Sequence, residues 1–165
     1  MKANRKRPPR RLHVDAGGRV RMVDVGGKRI TRRRAVARGR VRLGAEAFEA
    51  LSAGRLSKGD ALAVARIAGI LAAKRTPELV PLAHPVGLES VEVGCALDSR
   101  SREVVVTATV KTSARTGVEM EALAAVAGAC LSLYDMAKAL DRSIEIREIV
   151  LLEKTGGRSG AYRRG

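Results

Sequence analysis

The chain has 165 residues, 45% of them apolar, so it can bury a sizeable core and has an ordinary single-domain length. Phe48, Tyr134 and Tyr162 are its only aromatic residues, so that core must be built from Ala, Val, Leu and Ile. The formal net charge of +15 points to an anionic substrate or partner, or to a basic proteome, while Cys95 and Cys130 sit in apolar stretches and read as reduced core thiols of a cytoplasmic protein, not as a disulfide framework.

Residues 1–12 form a basic, proline-containing tail expected to be disordered, and lack the apolar stretch of a secretory signal. The tail reads as a solvated extension, with contact to nucleic acid or membrane as the alternative. Residues 13–161 follow as one domain with no internal repeat. Val20–Val25 is a short strand candidate, and Arg33–Leu43 alternates apolar and basic residues as a half-buried strand does. Ala45–Leu51 is a short helix and Ser52–Lys58 a loop. Asp60 is placed to cap a helix over Ala61–Arg75, where Lys74 and Arg75 suit the negative C-terminal end. Thr76–Pro85 carries three prolines and reads as an ordered loop with a turn or two. Leu88–Leu97 and Glu103–Lys111 are strand-like and joined by a hairpin at Asp98–Arg102. A long helix starts at Thr116, with Glu119 completing a capping-box pattern. Ser143–Glu153 is a final strand, followed by a Gly-rich loop over Lys154–Gly160. Strand, helices, hairpin, helix and strand is the split βαβ order, so the expected class is α+β: a ferredoxin-like antiparallel sheet with helices packed on one face.

The long helix is almost free of polar residues between Ala122 and Tyr134, so it should be buried on every side, by its own core or by a partner chain. Its small residues allow another backbone to come close. No apolar run is long and uninterrupted enough to span a bilayer. Glu121, Asp135 and Lys138 interrupt the helix on one broad face: at about 100° per residue, Asp135 lies about 40° from Glu121 and Lys138 about 60° further on. Such charges are costly unless paired or used. Glu121 and Asp135 are nonetheless about 21 Å apart along the axis, so either the ligand is long or a neighbouring subunit completes the site. The second is favoured.

Other residues carry weaker chemical signals. Lys58 puts a cation at a helix start, where anions are attracted, although an exposed loop lysine looks the same. His84 stands in a proline-fixed loop without a second His or Cys at metal-ligand spacing, so no metal site is expected. Glu119 has a capping role available, whereas Glu121 has none. Asp135 and Lys138 are i, i+3 neighbours and could form an ordinary ion pair, but a lysine on an apolar helix could instead have a lowered pKa suited to acid/base work. Lys154 opens a KTGGRSG loop that offers phosphate backbone donors, cations and hydroxyls without the spacing of a phosphate loop.

The stretches LSKGD, ARIAGILAAKRT, LVPLAHP, TGVEMEAL, LYDMAK and LLEKTGGRSG, with MVDVGGK near the start, together resemble the cyclic pyranopterin monophosphate synthases of molybdenum cofactor biosynthesis. The resemblance covers residues 13–161. It implies a ferredoxin-like subunit in a homohexamer, a trimer of dimers, with active sites at a subunit interface. It implies a lyase that converts cyclised dihydroguanosine triphosphate into cyclic pyranopterin monophosphate and diphosphate. By the same resemblance Asp135, Lys138 and Lys58 are catalytic, and Leu82, Ala83, His84, Glu119, Met120, Glu121 and Lys154 bind substrate. Ala83 stands where many members have Cys, and Arg115 where Lys is common. No cofactor is required, although magnesium could accompany the diphosphate. Lys58, Lys111, Arg115, Lys154 and Arg158 are candidate clamps for the polyanion. The competing class is a basic nucleic-acid-binding module of ferredoxin-like topology. It is disfavoured because the strand candidates lack the aromatics on which RNA bases stack. Neither a membrane nor a nucleic-acid partner is expected.

Overall fold

The computed structural model describes residues 14, 15 and 17–165, so the predicted tail at residues 1–12 lies outside the described residues. The elements follow the expected order: β1 (Thr31–Arg42), α1 (Ala45–Ser52), α2 (Ala61–Lys74), α3 (Thr76–Leu79), β2 (Ser90–Asp98), β3 (Glu103–Ala114), α4 (Glu119–Ala137), β4 (Glu145–Thr155) and β5 (Tyr162–Arg163). The strands form one sheet in the order β2-β3-β1-β4-β5, each neighbouring pair antiparallel. With β1 in the centre and the β2–β3 hairpin beside it, this is the split βαβ arrangement that the element order demands.

Period-two alternation sets the two faces of the sheet. Along β1, Ala35, Ala37 and Val41 are buried on one face, opposite Val110, Ala108 and Val104 of β3. The arginines between them lie on the other face, where Arg34 pairs with Glu153, Arg38 with Glu148 and Arg40 with Glu103. Helices α2 and α4 cover the apolar face. The core is aliphatic, with Phe48 its only buried aromatic residue among the described residues. Leu133 of α4 is fully buried, which contributes about 1.5–3 kcal/mol for a side chain of that size.

The small residues of α4 are explained by α2 of the same chain. A Cβ added at Gly128 would lie 2.5 Å from the Cβ of Ala72, so only glycine permits this approach. α4 therefore packs on the sheet with α2 close against its flank. By length and composition it could cross a membrane, against the sequence expectation, but half of its apolar window is buried inside the fold. Part of the helix layer remains uncovered: Val64, Ile67 and Leu71 form one stripe on α2, and Leu131 of α4 is 63% exposed.

Two sequence expectations fail locally, at Val20–Val25 and at the start of α4. Val20–Val25 belongs to no strand; the segment has only an isolated bridge between Val14 and Val20. Its alternation is real, because Val23 and Val25 are half-buried while Met22 and Asp24 are exposed, but among the described residues it forms no ladder with any strand. The loop after α2 does hold an expected turn, the single-turn α3, which Pro77 starts and the buried Thr76 anchors by donating to the Ala73 carbonyl at 3.0 Å. The capping box at Thr116 does not form. Val118 holds the N-cap position with no side-chain cap, and Glu119 is the first helical residue. The cap at Asp60 does form, its carboxylate accepting from the Ala63 amide at 2.9 Å.

Candidate active site

Two groups of predicted residues assemble, at opposite ends of α4. The first surrounds Asp135. The loop before α2 turns at Gly59, whose amide donates to the Leu56 carbonyl at 3.0 Å, and this turn directs Lys58 towards the end of α4. The Lys58 ammonium donates to the Asp135 carboxylate at 2.6 Å and to its main-chain carbonyl at 2.8 Å, satisfying one of the last carbonyls of the helix. Lys138, which caps α4, reaches the other carboxylate oxygen at 2.8 Å. The hydrogen bonds from Lys138 and Lys58 hold the Asp135 carboxyl well below its ordinary range, at about 2.

Of the two readings left open for Asp135 and Lys138, this geometry selects the ion pair over a lysine of lowered pKa. The hydrogen bond and charge attraction of Lys138 to Asp135 raise its pKa, and the side chain is 51% exposed, so burial cannot offset them. Asp135 is likewise exposed. The two residues stand where the helix leaves the core, and of the three charges on α4 only Glu121 is buried. One carboxylate between two ammonium groups leaves the triad a net cation, shaped to receive anionic oxygens.

The second group lines a cleft of about 370 Å³ at the start of α4. Leu82, Ala83 and His84 enter from the proline-fixed loop, where the Ala83 amide donates to the Val80 carbonyl at 2.9 Å. Glu119, Met120 and Glu121 enter from the first turn of α4, with Thr116 and Gly117 before them. Glu121 is only 3% exposed, and burial pushes its carboxyl pKa up, with the charge of Glu119 adding to the shift and its own backbone amide opposing it. The third wall was missed from the sequence. It is the extended segment carrying Val23, Val25 and Lys28. The Val23/Val25 alternation was the available signal, and it reports a segment laid along a cleft.

Lys154 joins neither group by a hydrogen bond. It lies near the end of β4 in register with Ala35, and its ammonium donates to the Ser159 hydroxyl. Two of the other candidate clamps are also placed elsewhere. Arg115 donates through Nε to the Lys28 carbonyl at 3.1 Å, and Lys111 lines a separate basic cleft of about 390 Å³ with Arg32, Arg33 and Arg34. Among the described residues no three His, Cys, Asp or Glu side chains converge as a metal-binding set. The triad is thus cationic and the cleft carboxylate-bearing, and about 21 Å of helix separates them.

Residues 22–157 match the MoaC family. The chain is 55% identical over 150 residues to a cyclic pyranopterin monophosphate synthase of Roseiflexus sp. (strain RS-1), covering 91% of this chain and 95% of the relative. It is 55% identical over 152 residues to the enzyme of the same name from Thermomicrobium roseum, covering 92% of each. It is 52% identical over 152 residues to that of Heliobacterium modesticaldum, covering 92% of this chain and 96% of the relative.

Proposed function

The chain belongs to the MoaC family, and on that premise we propose that it catalyses the cyclic pyranopterin monophosphate synthase reaction of molybdenum cofactor biosynthesis. It acts as a lyase on cyclised dihydroguanosine triphosphate and releases diphosphate. The observation that carries the reading is the pair of half-sites: a Lys–Asp–Lys triad suited to phosphate oxygens, and a cleft with a buried carboxylate suited to a ring bearing N–H donors.

In the proposed mechanism Lys58 and Lys138 bind the phosphates as ammonium groups, kept charged by Asp135. A sugar hydroxyl attacks the α-phosphate. Its proton leaves through Asp135 as the lysines turn to the phosphates, and an ammonium donates to the departing diphosphate. The same groups supply the proton needed when the carbon–nitrogen bond of the purine-derived ring opens before closure of the pterin. Leu82, Ala83, His84, Glu119, Met120 and Glu121 hold the ring, and Lys154 binds at the outer edge. The reaction as written needs no cofactor, and any magnesium would ride on the diphosphate oxygens.

Because the half-sites lie about 21 Å apart in one chain, the complete site forms when the triad of one subunit faces the cleft of another. The proposed assembly is a homohexamer built as a trimer of dimers, located in the cytoplasm. The uncovered apolar stripe of α2 and the exposed Leu131 support cover by further chains.

The test is turnover of the cyclised nucleotide followed by diphosphate release. Lys138→Ala and Asp135→Ala should each abolish turnover and leave the assembly intact by light scattering; near-normal turnover would remove the assigned role. Mixing inactive Lys58→Ala subunits with inactive Glu121→Ala subunits should restore part of the activity, because some interfaces then pair two intact halves. A mixture as inactive as its components would end the shared-site proposal.

A further inference from the structure

The segment at residues 17–30 contributes to the cleft, yet no strand of the sheet holds it. Its position rests on a short series of contacts that ends at Lys28. The Gly26 amide donates to the Asp24 carboxylate at 2.7 Å, and the Lys28 amide to the Val25 carbonyl at 3.0 Å, so the end of the segment is a closed turn. The Lys28 carbonyl then accepts from Arg115 Nε at 3.1 Å. The carbonyl of Arg115 and that of Ala114 accept in turn from the Arg33 guanidinium, at 3.3 and 3.4 Å. Gly157 packs on that guanidinium: a Cβ there would fall 1.8 Å from Nη1 of Arg33, and the residue sits at φ +77°, where glycine is favoured. The order of contact runs from the Gly-rich loop through Arg33 and Arg115 to the backbone of Lys28.

The side chain held at the end of this series differs from the others in the cleft. Among the described residues, Thr116, His84 and Lys28 are the cleft's side-chain hydrogen-bond donors, and Lys28 is its only lysine or arginine. It lines a cleft that also holds Glu119 and Glu121, yet its ammonium forms no ion pair among the described residues. A guanine-type ring edge presents a carbonyl acceptor and an amino donor. Carboxylates satisfy only the donor, and an ammonium, with three N–H groups, satisfies the acceptor.

We propose that Lys28 is a further substrate-binding residue, donating to the carbonyl oxygen of the purine-derived ring, and that Arg115 is the positioning residue that holds it over the cleft. The proposal rests on the functional reading above. It also assigns Arg115 a role different from phosphate binding, because its Nε is engaged by the backbone of the segment.

The test uses the full-length enzyme. Lys28→Met keeps the stem and removes the donor; it should raise KM roughly ten- to hundredfold, the range for losing a hydrogen bond to a charged group, with a smaller effect on kcat. Lys28→Arg should recover most of the loss. Arg115→Ala should raise KM in the same direction and speed amide hydrogen exchange across residues 22–30, and Arg115→Lys should reverse both. KM within twofold of wild type for Lys28→Met would overturn the assignment of Lys28. Unchanged exchange in Arg115→Ala would overturn the tether. No turnover by the wild-type protein would overturn the functional reading and this assignment with it, so the two failures are distinguishable.

Discussion

Replacing Glu121 by Gln should make the protein more stable and a poorer enzyme. Glu121 is only 3% exposed in the first turn of α4, and among the described residues its carboxylate has its own backbone amide as a partner but no side chain. A buried carboxylate with no counter-charge and only its own backbone as donor costs on the order of 1–3 kcal/mol, and glutamine keeps the shape while removing the charge. At about 2–4 °C per kcal/mol for a chain of this size, the melting temperature at neutral pH should rise by about 2–12 °C. The pH dependence follows from the direction of the shift. Burial raises the folded-state pKa of Glu121 above its ordinary 4.5, so the penalty is complete above the raised value and vanishes below 4.5. The gap between variant and wild type should therefore close in acid. Thermal unfolding at neutral pH and below the ordinary glutamate pKa measures both, and KM for the cyclised nucleotide should rise because the accepting carboxylate is gone. An unchanged or lower melting temperature at neutral pH would refute the reasoning, since it would mean the carboxylate is already paired in the assembled protein.

Other outcomes follow from the same structure. The Asp135 carboxyl should titrate near 2 by NMR, and Lys138→Ala or Lys58→Ala should move it back towards 3.8; a wild-type midpoint at the ordinary value would mean the triad does not form in solution. Because this folded-state pKa is depressed, the contribution of the triad to stability is present above 3.8 and is lost as pH falls through about 2. Leu133→Ala, at a fully buried position between α4 and the sheet, should cost about 2.7–5 kcal/mol in urea unfolding with an unchanged m value, and a loss below about 1 kcal/mol would contradict that packing. Gly128→Ala sets two effects against each other: the closer helix preference of alanine is worth about 1 kcal/mol, and the clash with Ala72 at 2.5 Å costs about 1–3 kcal/mol, so net destabilisation is expected. A more stable variant would show that α2 and α4 do not approach so closely.

The element order was legible because each strand alternates and each long helix does not. Arg33–Leu43 announced β1 by placing apolar residues on every second position, and Asp60 announced α2 by a cap that depends on only three following residues. The cap of α4 was not legible. Thr116 and Glu119 have the capping spacing, but the helix begins at Glu119 itself, with its carboxylate folded back over Gly117, where a Cβ would lie 1.8 Å from Oε2. The segment around Val23 carried the right alternation and the wrong inference, because a period of two says that one side is covered without saying whether a strand or a cleft wall does the covering.

The sequence alone determined the fold class and, through its resemblance to known synthases, the residues to examine. Local pattern decides the elements, and their order leaves few ways to close an antiparallel sheet. Only the tertiary structure decided what those residues are electrically. Lys58 meets Asp135 across 77 positions, Lys138 stands at the surface with its pKa raised by the ion pair to Asp135, and Glu121 alone among the charges of α4 is buried. The protonation state of a side chain depends on its solvent exposure and on partners from distant parts of the chain, and neither is specified by spacing along one helix.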